Sequence, residues 1–151
     1  MTKEQKNTSN VCLFELKKSI TDFIPQKITS SIGSADYIRQ FYHDDIEIYE
    51  SFFILMLNRA NTTIGFAKIS QGGICGTVVD IKILAKYVID SLASSVILAH
   101  NHPSGNRKPS EQDFLMTQKI VKSLSLLDTK VFDHIILTKD SYYSFADNGE
   151  L

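Results

Sequence analysis

A chain of 151 residues is one domain's worth of protein and long enough to bury a real core. With 43% hydrophobic and 22% charged residues it has the make-up of an ordinary globular fold, and a net charge of −1 leaves no electrostatic footprint for gripping phosphate backbones non-specifically. Its two cysteines, Cys12 and Cys75, form no Cys-x-x-Cys pair, which excludes a zinc knuckle or a deaminase-type site; both are read as reduced, buried thiols of a cytoplasmic protein.

Residues 1–10 are polar and carry no hydrophobic signal core, and no apolar run approaches membrane-spanning length, so a membrane-free protein with a frayed start is expected. Residues 11–16 fit a short strand, because Val11, Leu13 and Phe14 want cover. Pro25 and Thr29-Ser30-Ser31 read as loop, which assigns 1–30 to a tail and 31–151 to the domain. Ser34 is placed to cap a helix over 34–43, with Ile38, Phe41 and Tyr42 as its apolar side. Residues 46–57 form a strand pattern that is apolar on both faces from Phe52 onward, hence central and covered twice.

After a turn over 58–61, residues 62–70 return as a strand. Gly72, Gly73 and Gly76 match neither glycine signature for phosphate and are read as turn chemistry. Residues 77–79 are extended. Asp80 then caps a helix whose buried stripe is Ile81, Leu84, Ala85, Val88 and Leu92. A strand over 96–100, a helix from Ser110 to about Leu127, a strand over 131–138, a turn over 139–141 and a short strand over 142–145 follow. Alternating strands and helices imply parallel neighbours joined by right-handed crossovers, with antiparallel hairpins at either side. The expected class is α/β (mixed α+β): a three-layer sandwich, its mixed central sheet covered by helices on both faces.

The apolar run 96–99 stops at His100-Asn101-His102, and Pro103 ends any ladder because it brings no donor. In extended backbone His100 and His102 project to one face. Asp113, in the first turn of the following helix, heads the inward stripe of Thr117, Ile120, Leu124 and Leu127. A carboxylate at the head of a buried stripe needs a partner. Two imidazoles and one carboxylate suit Zn²⁺ with a fourth position left for water. Ser110-x-x-Asp113 is equally a capping-box pattern, in which both residues would satisfy orphan amides.

His-x-His-Pro followed by Ser-x-x-Asp, with ten residues between the second His and the Asp, resembles the JAMM metal motif of JAB/MPN domains. The fuller stretches 97–105 and 109–113, with Asp133-His134 and Tyr142 beyond and Glu50 before, resemble the RadC-type branch of that superfamily. The resemblance implies a JAB/MPN-like, cytidine-deaminase-like fold and one Zn²⁺ per chain on His100, His102 and Asp113. It also implies hydrolysis of a peptide or isopeptide bond, with Glu50 as general acid/base and Ser110 steadying the oxyanion. Read from the residues alone, Glu50 is either a half-desolvated acid with a raised pKa or a solvated strand-edge glutamate, and Glu47 competes if the register slips. Asn101 and Ser104 flank the ligands as candidates for orienting the imidazoles, and His134 is placed as a structural or supporting residue, not a fourth ligand. Arg107 and Lys108 are solvated loop charges that could guide an acidic substrate.

Two other functions compete. RadC-type proteins commonly carry a DNA-repair label, and longer members have a helix-hairpin-helix DNA-binding region ahead of the domain, for which these 151 residues leave no room. Metal-free relatives serve as scaffold modules, but those lack one or more ligands and this chain lacks none. The substrate's identity and the oligomeric state are not legible.

Overall fold

Seven consecutive residues from Ser51 to Leu57 are buried, as are all seven of Ser95–Asn101, so the sheet has to be covered on both faces. The computed structural model describes residues 11, 13, 17–72 and 78–151. In it, β1 (Glu50–Leu57), β2 (Thr63–Gly72), β3 (Ser95–Asn101), β4 (Lys130–Leu137) and β5 (Tyr142–Ser144) form one five-stranded sheet in the order β2-β1-β3-β4-β5. β1 is antiparallel to both of its neighbours, β3 and β4 are parallel, and β5 closes an antiparallel hairpin on β4. The mixed sheet is the one expected, with a single parallel pair. Residues 78–79 add no strand ahead of the second helix, so the alternation yields one parallel crossover neighbour and not two.

Helix α1 (Ser31–Arg39) covers one face, laying Ala35, Tyr37 and Ile38 against Phe53, Leu55, Ile97, Ala99 and Ile135. Helices α2 (Ile81–Ser91) and α3 (Glu111–Ser125) cover the other, where Leu84, Val88, Ile120 and Leu124 meet Phe52, Ile54, Val96 and Leu98. Among the described residues no helix is long and apolar enough to cross a membrane.

Local chemistry moves several boundaries. The cap of α1 is Ser30, whose extended backbone lets Oγ accept from the Gly33 amide at 3.1 Å; Ser34, expected to cap, is buried one turn inside and donates to the Ser30 carbonyl. β1 begins at Glu50 and not at 46, because the Asp45 carbonyl accepts from the amides of Ile48 and Tyr49 and curls that segment into a turn. Asp80 caps α2 as expected, accepting from the Lys82 amide at 2.8 Å. Leu92 is not part of the buried stripe: the helix ends at Ser91, and a left-handed C-cap at φ 53° turns Leu92 out to 84% exposure. Leu127 likewise falls beyond α3 and is exposed. Val11 and Leu13 are exposed, and the rest of the strand expected over 11–16 lies outside the described residues, as do Cys12, Cys75, Gly73 and Gly76.

One irregularity positions the site. Val96 pairs with Val131 but Ile97 pairs with Asp133, so Phe132 is skipped. That bulge reverses the parity of β4. Ile135 and Leu137 turn to the α1 face, while His134 turns to the α3 face, beside His100.

Candidate metal centre

His100 is the penultimate residue of β3 and has no exposed surface. The amide of His102 donates to the Leu137 carbonyl at 2.9 Å, which keeps the chain extended past the strand's end and puts both imidazoles on the α3 face. Pro103 stops the ladder, and the Gly105 amide closes a turn on the His102 carbonyl with Gly105 at φ 84°. The loop returns to the N-terminus of α3. There a full capping box forms: Ser110 Oγ accepts from the Asp113 amide at 3.1 Å, and Asp113 Oδ2 accepts from the Ser110 amide at 2.7 Å. The box also aims the carboxylate. Asp113 Oδ1 lies 3.2 Å from His100 Nε2 and Oδ2 lies 3.4 Å from His102 Nε2. The two Nε2 atoms are 3.0 Å apart, and all three ligand atoms lie within 4.8 Å of one another. The geometry that caps the helix also brings the Asp113 carboxylate to both imidazoles, so the two alternatives of the sequence do not compete.

Hydrogen bonds on the far side of each ring decide what faces the centre. Thr117 Oγ1 has one proton and gives it to the Asp113 carbonyl at 2.6 Å, so it can only accept from His134 Nδ1, also at 2.6 Å. His134 Nε2 is then a bare acceptor, and His100 Nδ1, 2.8 Å away, must be its donor. That leaves the Nε2 of His100 as a lone pair. His102 Nδ1 donates to the Asn106 carbonyl at 2.6 Å, which leaves its Nε2 as a lone pair too. Two lone pairs and a carboxylate converge with no donor among them. Such a group is stable only around a cation, whether a metal ion or a proton taken up by an imidazole.

The electrostatics carry the same demand. Burial would raise the Asp113 carboxyl, but once His100 or His102 takes up a proton, its hydrogen bond and charge hold the carboxyl well below the usual carboxylate range. Burial opposes charging His102, yet Asp113 and the Asn106 carbonyl push its pKa up. His134 is held neutral by burial and by the neighbouring His100. Phe52 stacks against His100 and Phe145 against His134, with ring centroids 6.0 and 4.7 Å apart, and both phenylalanines are fully buried.

Phe52 pairs with His100, and Glu50, two residues earlier on the same face, heads β1 level with the imidazoles. It lines a cleft of about 710 Å³ with His102, Ser104, Ser110 and Asp113, walled by Val79, Ile81 and Met116 and rimmed by Lys108 and Lys119. Burial raises the Glu50 pKa, more than the two histidines lower it. Glu47 forms an exposed ion pair with Lys139 at 3.3 Å instead. Ser110 Oγ accepts from the helix amide, so its own proton is available to the cleft it lines.

Two expected supports act differently. Ser104 makes no hydrogen bond to either imidazole; its Oγ accepts from the Asn106 amide in the turn whose carbonyl holds His102. Asn101 points to the opposite face and bonds the chain around Glu50, because strand alternation sends it away from the rings it separates. Arg107 bonds Ser141 Oγ at 3.0 Å and pins the loop to the β4–β5 turn. Thr117 was visible in the sequence only as one position of an inward stripe. Its place one turn after Asp113 was the available signal.

Residues 28–150 match the family described as RadC-like JAB domain. The chain is 38% identical over 148 residues to a UPF0758 protein of Flavobacterium johnsoniae, a match covering 97% of this chain and 64% of that relative. To a UPF0758 protein of Porphyromonas gingivalis it is 42% identical over 103 residues, 68% of this chain and 45% of the relative. To one of Neisseria meningitidis it is 35% identical over 135 residues, 89% and 56%. The chain thus spans less than two thirds of the length of each of these relatives.

Proposed function

The chain belongs to the RadC-like JAB domain family, and we propose that it hydrolyses an amide bond, peptide or isopeptide, with one zinc ion held by His100, His102 and Asp113. The observation that carries this is the donor-free convergence of two Nε2 lone pairs and a carboxylate, each fixed from behind by a hydrogen bond. Two nitrogens and one carboxylate oxygen are a donor set that zinc takes in hydrolytic sites. A zinc ion there would act as a Lewis acid and make water acidic enough to attack near neutral pH.

The protein's own groups supply the rest. Glu50, its pKa raised by burial, takes a proton from the attacking water and returns it to the leaving nitrogen. Ser110 offers its hydroxyl proton to the oxygen that gains charge. The Thr117–His134 pair keeps His100 in the tautomer that ligates. Val79, Ile81 and Met116 give the substrate an apolar wall on the α3 side.

The experiment is a screen of peptide and isopeptide substrates with the zinc-loaded chain and two variants. Glu50→Gln is expected to keep zinc and lose turnover by about 10²- to 10⁴-fold, the usual contribution of a positioned acid/base. Asp113→Ala is expected to lose both. Unchanged turnover in Glu50→Gln would remove Glu50 from the chemistry. A zinc-loaded wild type that binds these amides without cleaving them would make the domain a binding module.

A further inference from the structure

The residue between the two candidate ligands is a hydrogen-bonding clamp on the other side of the sheet. Asn101 has no exposed surface. Its Nδ2 donates to the Ile46 carbonyl at 2.6 Å and the Tyr49 carbonyl at 2.7 Å, and its Oδ1 accepts from the Ser51 amide at 2.8 Å. The orientation of the amide group is fixed by these partners, since turning it over would set oxygen against two carbonyls and NH₂ against an N–H. Backbone pairing between β1 and β3 runs only as far as Phe52 and His100. One residue further the Asn101 side chain takes over, gripping the residues immediately before and after Glu50.

We propose that Asn101 is the positioning residue for Glu50: its carboxamide holds the 46–51 segment so that the acid/base faces the metal centre. The inference rests on the reading that Glu50 works beside a metal held by His100, His102 and Asp113. Among the described residues the other anchors of this segment include the exposed Glu47–Lys139 ion pair. The turn closes on itself through the Asp45 carbonyl, Glu50 pairs with Gly72 toward β2, and Tyr42 donates its hydroxyl to the Ser51 carbonyl at 2.9 Å. None of these links Glu50 to the strand that carries the histidines; Asn101 does. Through strand alternation the tripeptide 100–102 sets the ligands on one face and the carrier of the acid/base from the other. A buried amide whose two donors and one acceptor are all used cannot be exchanged for a similar volume without leaving backbone groups unpaired.

The test uses the full chain loaded with cobalt(II), whose visible absorption reports on the groups around the ion. Wild type, Glu50→Gln, Asn101→Ala and Asn101→Asp are compared for cobalt affinity and spectrum. Asn101→Asp keeps the volume and the acceptor for the Ser51 amide but faces two carbonyls with a carboxylate, so it decides the matter if the alanine variant does not fold. The expected result is a cobalt Kd within about threefold of wild type for the Asn101 variants, with a spectrum displaced to match that of Glu50→Gln. In turnover, either Asn101 substitution added to Glu50→Gln is expected to cost less than about twofold more, since both act on one group. A folded Asn101 variant that keeps the wild-type spectrum, or that loses cobalt, would overturn the proposal. If wild type binds no cobalt, the metal-site reading itself fails; if wild type binds cobalt and Glu50→Gln keeps its spectrum, the placing of Glu50 beside the ion fails; both results are distinct from failure at Asn101 alone.

Discussion

Thr117 has a single proton to give, and where it goes sets the protonation of four histidine nitrogens in series. Thr117→Val, nearly the same shape, removes that proton and lets His134 present the wrong nitrogen to His100. Metal affinity should fall by about 10- to 100-fold with the fold intact, as a zinc titration would record; an unchanged affinity would show that the relay does not matter. His134 also predicts a pH response. Its folded pKa lies well below the ordinary 6.5. In metal-free protein below about pH 6.5 the unfolded chain therefore binds a proton that the fold refuses, and stability is lost as pH falls through that window. His102, with its raised pKa, contributes the opposite sign, stability present below about 6.5 and lost above, but it is partly exposed and the fully buried ring dominates. The urea midpoint should be lower at about pH 5 than at about pH 7 in wild type, and in His134→Asn that difference should vanish or reverse, since His102 remains. At this scale His100, His102 and Asp113 were legible because period two and the helix stripe each fix a side chain's direction. Thr117 and the true partners of Asn101 were not, because hydrogen-bond direction depends on what another element brings.

Element boundaries obey caps more closely than hydrophobic pattern. Ser110 holds both the first turn of α3 and the aim of Asp113. Ser110→Ala should cost about 1 kcal/mol of stability and also weaken metal binding; a loss of stability alone would uncouple the two roles. Leu92, left-handed and 84% exposed, is the reverse case. Leu92→Gly should leave stability unchanged or raise it by up to about 1 kcal/mol in urea unfolding, since glycine takes that conformation without a steric cost. Leu124→Ala, in the core under α3, should cost about 2–5 kcal/mol by the same measurement. The caps at Asp80 and Ser110 were legible as single polar residues ahead of apolar stripes. In the sequence Ser30 reads as loop and Ser34 as the cap of α1, because nothing local marks the extended backbone that lets Ser30 cap instead. The bulge at Phe132 left no signal in the pattern, because the residues on either side of it are apolar or functional on both faces.

The whole molecule brings the site together at one end of the sheet. β3 supplies the imidazoles where it runs out, its antiparallel neighbour β1 starts beside them with Glu50, and the loop after β3 returns α3 with its N-terminal carboxylate. Strands apolar on both faces made the layered architecture legible, while strand order was not, since antiparallel and parallel partners of a doubly buried strand look alike in sequence. Metal held this way would tie the end of β3 to the N-terminus of α3. Binding should therefore stabilise the fold by mass action, about 2.7 kcal/mol when the free ion is a hundredfold above its Kd. The most direct measurement is the zinc content of the purified chain and of Asp113→Ala, by native mass spectrometry after equilibration with the metal. The account predicts about one ion per wild-type chain and none in the variant. Equal zinc in the two proteins, or none in the wild type, would contradict it.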